Sequence, residues 1–186
     1  MTSPIEFPVE GISDGEIRLR LLAEADLPTL VDVVSDPEIP RWTRIPDAYG
    51  DSDAREWYEV QGRGREEGTI LNLMIVDGDD RLLGACGIVE VDWTEGRAEL
   101  GYWLAREARG HGVMTRAIRL LVPWIFESLP IERVQLGIEP ANAASRALAE
   151  RAGFTFEGVL RSWFVNKGRR RDVAMYSLLR TDILNM

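Results

Sequence analysis

The chain has 186 residues, 45% of them hydrophobic, enough to fill one sizeable core, so a single domain is expected. Its 22 basic and 31 acidic side chains leave a formal net charge of -9, which repels nucleic-acid phosphates and anionic membranes at long range and favours a cationic partner. Cys86 is the only cysteine and His111 the only histidine, which excludes an intrachain disulfide and argues against a Cys/His metal site.

No apolar run approaches the length of a membrane span, and Met1 to Gly15 carries Glu6, Glu10 and Asp14 instead of the charged-then-apolar order of a signal peptide. A cytoplasmic location is the expectation. Residues 1–14 read as a flexible N-terminal segment and 15–186 as a single folded domain. Ile17 to Leu22 alternates apolar and basic residues, the mark of a strand with one buried face. Glu24 to Ser35 carries Leu27, Leu30, Val31 and Val34 at helical spacing, and Pro37 stops it. Asp36 to Gly50, with Pro37, Pro40 and Pro46, reads as an irregular connection anchored by Trp42 and Tyr49. Asp51 to Glu67 is helical by pattern, with Ala54, Trp57, Tyr58 and Gln61 inward.

Three apolar runs separated by turn signals follow: Ile70 to Val76, Leu82 to Asp92 and Arg97 to Leu104, an antiparallel meander. Val113 to Ser128 is the strongest helix, with Pro123 expected to kink it. Arg133 to Ile138 is a strand. Asn142 to Ala152 is a helix with Asn142 as its cap and Gly153 beyond its end. Phe154 to Phe164 and Asp172 to Leu179 close the chain as strands around a turn at Asn166 to Arg170. The order predicts an α+β domain with a mixed sheet.

Arg109-Gly110-His111-Gly112-Val113-Met114-Thr115 sits where the strongest helix begins. Free amides and the positive dipole end of a helix make an anion site, and glycines let a diphosphate approach the backbone. An ordinary glycine loop is the plain alternative. A dinucleotide fingerprint also fits Gly110, Gly112 and Thr115, but the chain lacks the repeated strand-helix units it requires.

A third reading comes from a resemblance. Ala98-Glu99-Leu100-Gly101-Tyr102-Trp103-Leu104 followed by Arg109-Gly110-His111-Gly112 resembles motif A of the GCN5-related N-acetyltransferase (GNAT) superfamily. Asn142-Ala143-Ala144-Ser145 with Ala152-Gly153-Phe154, then Gly158, Arg171-Asp172 and Tyr176, is similar to its RimJ/RimL-type branch, over about Ile17 to Leu179. Met114 departs from the small residue the superfamily prefers in the phosphate loop.

The resemblance implies a mostly antiparallel sheet of about seven strands flanked by about four helices, with the fourth and fifth strands splayed. It implies acetyl-coenzyme A as cosubstrate and no metal. Tyr102, Trp103, Leu104, Ala105 and Arg106 would line the donor along the fourth strand. Arg109, Gly110, His111, Gly112, Val113, Met114 and Thr115 would hold its diphosphate, and Asn142 and Ser145 would reach its pantetheine end. The acceptor would be a primary amine, a protein N-terminus or a small molecule, attacking the thioester directly. A non-catalytic acetyl-CoA sensor is the alternative. A homodimer is common in the branch.

In this reading Glu99 is the preferred general base, against a structural carboxylate paired with an arginine. Glu90 and Asp92 are weaker candidates. Ser145 would assist the leaving thiolate, against a surface hydroxyl, and a backbone amide near Tyr102 would stabilise the oxyanion. A base matters more for a lysine-like amine of pKa about 10.4 than for an α-amine near 7.8. His111 reads as a loop residue and Cys86 as buried packing. Trp42, Trp57 and Trp93 are candidate acceptor walls. Arg169-Arg170-Arg171 would meet a 3′-phosphate or a partner, or form a solvated hairpin tip.

Overall fold

The computed structural model describes residues 3–183, built on one eight-stranded sheet with helices on both faces. The strands are β1 (Ile12–Ser13), β2 (Ile17–Leu21), β3 (Leu71–Asp77), β4 (Leu82–Asp92), β5 (Arg97–Leu104), β6 (Arg133–Ile138), β7 (Thr155–Asn166) and β8 (Arg169–Leu179). Their order across the sheet is β1-β2-β3-β4-β5-β6-β8-β7. All neighbours are antiparallel except β5 and β6. The two-residue β1 is too short to show in a periodicity, so the fourth and fifth strands of the sequence reading are β5 and β6.

Alternation along the strands sorts the core into two layers. Leu71, Leu73 and Ile75 of β3 face α4 (Val113–Ser128), whose Ala117, Ile118, Leu121 and Ile125 form its buried stripe. Met74 and Val76 face the other way, towards Trp57 and Trp103. On that side α1 (Leu27–Val34) and α3 (Asp51–Glu66) pack through Leu27, Leu30, Val34 and Ala54. α5 (Ala143–Arg151) follows β6, and α6 (Arg180–Ile183) follows β8. Cys86, in mid-β4, is buried, and desolvation pushes its thiol up to about 12.

Several expectations change. The stretch 3–14 is not the flexible segment expected: Ile5 and Phe7 lie in the core, Phe7 meets Trp124 edge-on at 4.9 Å, and Ile5 N donates to Arg65 O. A short helix, α2 (Glu38–Trp42), occupies the connection read as irregular. Pro40 falls in its first turn, where an amide has no helical partner anyway, and the Asp36 carboxylate receives the Glu38 amide at 3.1 Å. α4 runs unbroken through Pro123. The closing strands reach further than expected, to a two-residue turn of Lys167 and Gly168 at φ 47° and 73°, the left-handed pair that a tight hairpin needs.

β5 and β6 pair only from Arg97 to Glu99 and from Arg133 to Gln135. Beyond those residues the strands separate, as the resemblance implied. Each keeps its other neighbour, so the gap between them exposes strand edges towards the interior of a cleft.

Candidate active site

The cleft that begins at this gap has a volume of about 1270 Å³. Its floor is β5, whose residues alternate in direction. Tyr102 and Leu104 turn towards α4 and α5, and Trp103 turns towards α1 and α3. Glu99 shares the parity of Trp103, so its carboxylate and the Tyr102 phenol emerge on opposite faces of one strand.

Glu99 Oε2 accepts from Gln135 Nε2 at 3.1 Å. Among the described residues no arginine forms an ion pair with it. Gly137 on β6 leaves room for it, since a Cβ there would stand 3.2 Å from Glu99 Oε1. Burial pushes the Glu99 carboxyl above its ordinary value, and the facing Glu90 carboxylate, its cross-strand partner on β4, adds to the rise against the pull of the Gln135 bond and Arg44. Tyr102 Oη and Ser145 Oγ stand 2.6 Å apart. Burial pushes the phenol up to about 12. Ser145 is placed by the cap of its own helix, where its amide donates to Asn142 Oδ1 at 3.1 Å.

At the other end Gly110 and Gly112 take φ of 80° and 77°, which non-glycine residues adopt only at a cost. A Cβ on either would meet nothing within 4 Å, so the loop faces open space. The first helical bond of α4 is Arg116 N to Gly112 O, leaving the amides of Val113, Met114 and Thr115 without a helical partner. Free amides, a helix N-terminus and open glycine backbone suit a diphosphate.

Residues 16–155 match the acetyltransferase (GNAT) domain family. The chain belongs to the GNAT acetyltransferases. It is 33% identical to the uncharacterized N-acetyltransferase p20 of Bacillus licheniformis, over 94% of this chain and 98% of that protein. Its fold is similar to that of the microcin C7 self-immunity acetyltransferase MccE in complex with acetyl-CoA and AMP, with TM-score 0.85, 27% identity, and coverage of 93% of this chain and 98% of that one. RimL, the ribosomal L7/L12 α-N-protein acetyltransferase, solved with coenzyme A, shares the fold at TM-score 0.83 and 22% identity, over 92% of this chain and 98% of that one.

Within this GNAT domain the cleft gathers Glu99, Tyr102, Trp103, Leu104, Arg109, Gly110, Gly112, Val113, Met114, Thr115, Asn142 and Ser145 from the sequence reading. It does not gather Ala105, Arg106 or His111. Ala105 is buried, and its amide is spent on Leu83 O at 2.9 Å. Arg106 leans towards Asp36, and His111 is exposed at the crest of the loop. Arg109, which lines the cleft, also has partners within the chain. Its Nε and Nη2 donate to Leu104 O at 3.1 and 2.9 Å and Nη2 pairs with Asp36 at 2.9 Å, so the guanidinium fastens the end of β5. Met114 is buried against the core, so its bulk is absorbed there.

Trp42 and Trp57 line the cleft, whereas Trp93 does not: its Nε1 donates to Gly68 O at 2.7 Å and its ring packs on the main core. Of the arginines of the β7–β8 hairpin, two have partners within the chain. Arg170 donates to Ser162 O, Arg171 faces Glu139 at 3.5 Å, and the neighbouring Asn166 and Lys167 fasten the tip to Thr43, Pro40 and Asp47. Trp163 and Phe164, which the sequence reading passed over, line the cleft from this hairpin.

Proposed function

We propose that the protein transfers an acetyl group from acetyl-coenzyme A to a primary amine, by direct attack of the amine within a ternary complex. The observation that carries this reading is the continuity of one cleft from the glycine loop, through the gap between β5 and β6, to the Glu99 carboxylate. Acetyl-CoA, when bound, supplies an activated carbonyl carbon. The rest of the chemistry falls to residues of the chain.

The amides at the start of α4 would hold the diphosphate, and the unpaired edge of β5 beyond Glu99 would receive the pantetheine arm. Glu99 would take the proton from the acceptor nitrogen as the new C–N bond forms. A carboxyl raised above its ordinary value is a stronger base for that step. The C–S bond breaks towards Tyr102 and Ser145. A thiolate whose conjugate acid has a pKa of about 8.5 does not draw a proton fully from a phenol near 12, so this pair would stabilise the departing thiolate as a hydrogen-bond donor.

The acceptor end favours a cationic amine. Asp53, Glu56 and Glu90 line the cleft with Trp57, and of its arginines Arg109 is already paired with Asp36, whereas Glu38 and Trp42 are engaged by Arg41. A protein α-amine and a small-molecule amine both satisfy this description. Calorimetric titration with acetyl-CoA, repeated with Gly112→Trp, tests the donor site, and thiol release across a panel of amines tests the transfer. Micromolar binding lost in the variant and turnover of at least one amine are expected. A folded wild type that binds no acetyl-CoA would sink the proposal.

A further inference from the structure

The register of β7 against β8 steps from Leu160 opposite Val173 to Phe164 opposite Arg171. Arg161, Ser162 and Trp163 therefore stand against the single residue Asp172. Ser162 has φ of 53°, unusual for a side-chain-bearing residue, and its amide donates to Asp172 Oδ1 at 2.7 Å. Arg170 Nη1 closes the bulge from the other side by donating to Ser162 O at 3.1 Å.

This bulge has a directional consequence. Adjacent residues of a regular strand face opposite ways, yet Trp163 and Phe164 both line the cleft. Phe164 is covered by the Arg44 guanidinium, 5.6 Å from its ring centre. Trp163 has no ring or cation contact of that kind among the described residues and remains 58% exposed. The hairpin that carries it is anchored by Asn166 Nδ2 to Thr43 O at 3.2 Å and Lys167 Nζ to Pro40 O at 2.6 Å, so the ring is presented from a fixed wall. Glu56 and Glu90 line the same cleft.

We propose that Trp163 selects the acceptor: its indole face receives a positive charge that the amine substrate carries beyond its reacting nitrogen, and Asp172 is the positioning residue that turns it there. An exposed aromatic face in a cleft that carboxylates also line suits a cation, and the charge it binds is one the transfer itself does not consume. The inference rests on the acetyl-transfer reading above.

Steady-state kinetics with 1,4-diaminobutane, spermidine and butylamine test it, because butylamine lacks the second charge. Trp163→Ala is expected to raise KM for the two polyamines about tenfold. The KM for butylamine and for acetyl-CoA should stay in place, and Trp163→Tyr should recover most of the loss. Asp172→Ala should reproduce the pattern, and the double variant should add nothing further. Equal changes for all three amines, or an effect on kcat alone, would overturn the assignment. A wild type that acetylates some other amine but none of these three overturns the inference alone. One that acetylates no amine at all overturns the proposed function with it.

Discussion

Tyr102 and Ser145 meet across the gap between β5 and β6, phenol oxygen to hydroxyl oxygen at 2.6 Å, although they are 43 residues apart in the chain. One side chain comes from a strand and the other from a helix, so the contact exists only when the splayed strands and α5 are correctly placed. Tyr102→Phe and Ser145→Ala should each lower kcat about tenfold, the worth of one good hydrogen bond to a developing charge. The double variant should fall short of the product of the two losses, because either change alone breaks the same pair. Independent, fully multiplicative losses would separate the two residues mechanistically.

Glu99→Gln keeps the shape of the side chain and its link to Gln135 while removing the proposed base. A fall in kcat on the order of 10²-fold is expected. In the wild type the acid limb of the kcat/KM profile should lie above the ordinary carboxyl value of 4.5, and it should vanish in the variant.

Stability should move in the opposite sense. A carboxyl raised by folding binds more protons in the native state between its unfolded and folded values, so stability falls as pH rises through that window. Glu99→Gln removes this cost. Its melting temperature at pH 7 should equal or exceed that of the wild type, with the difference shrinking below pH 4.5. A variant that is markedly less stable at pH 7 would argue for a structural carboxylate.

Gly112→Ala probes the loop. Its φ of 77° makes the methyl group cost roughly 1–2 kcal/mol of strain, a drop of only a few degrees in melting temperature for a chain of this size. Donor affinity should fall tenfold or more, because the methyl group enters the open space in front of the helix amides. A calorimetric Kd unchanged by this substitution would place the diphosphate elsewhere.

Glu157 gives a pH dependence of the other sign. Its bidentate contacts with Arg133 at 2.7 and 2.6 Å, aided by the Ser177 hydroxyl, hold its carboxyl down at about 2. A depressed carboxyl stabilises the fold above its unfolded value and loses that contribution as pH falls through the folded one. Wild-type melting temperature should therefore drop more steeply than that of Glu157→Gln between pH 4.5 and about 2. The side chain is 39% exposed, so solvent screening keeps the difference modest. Parallel curves would refute it.

What the sequence disclosed was local. The cap at Asn142, the glycine loop before α4 and the stripe Ala117, Ile118, Leu121 and Ile125 are written in neighbouring residues, and each was found where expected. The Tyr102–Ser145 pair and the Trp163 bulge depend on partners in other elements, and no window of sequence contains them. Asp172 belongs to a motif visible in the sequence, but its grip on Ser162 follows from the strand register. Arg109 shows a further limit. The residue type suits an anion, and only the placement of Leu104 and Asp36 reveals that its charge is already engaged.

Cys86 carries a practical consequence. The chain's one thiol is sealed within β4 and held protonated at ordinary pH, so a thiol-reactive dye added to the native protein should meet only the coenzyme released by turnover. The same dye added without substrate becomes a clock for the fold. Its slow capture of one sulfur per molecule would time the opening of the central sheet, so one reagent reads the enzyme's work in one cuvette and its breathing in the next.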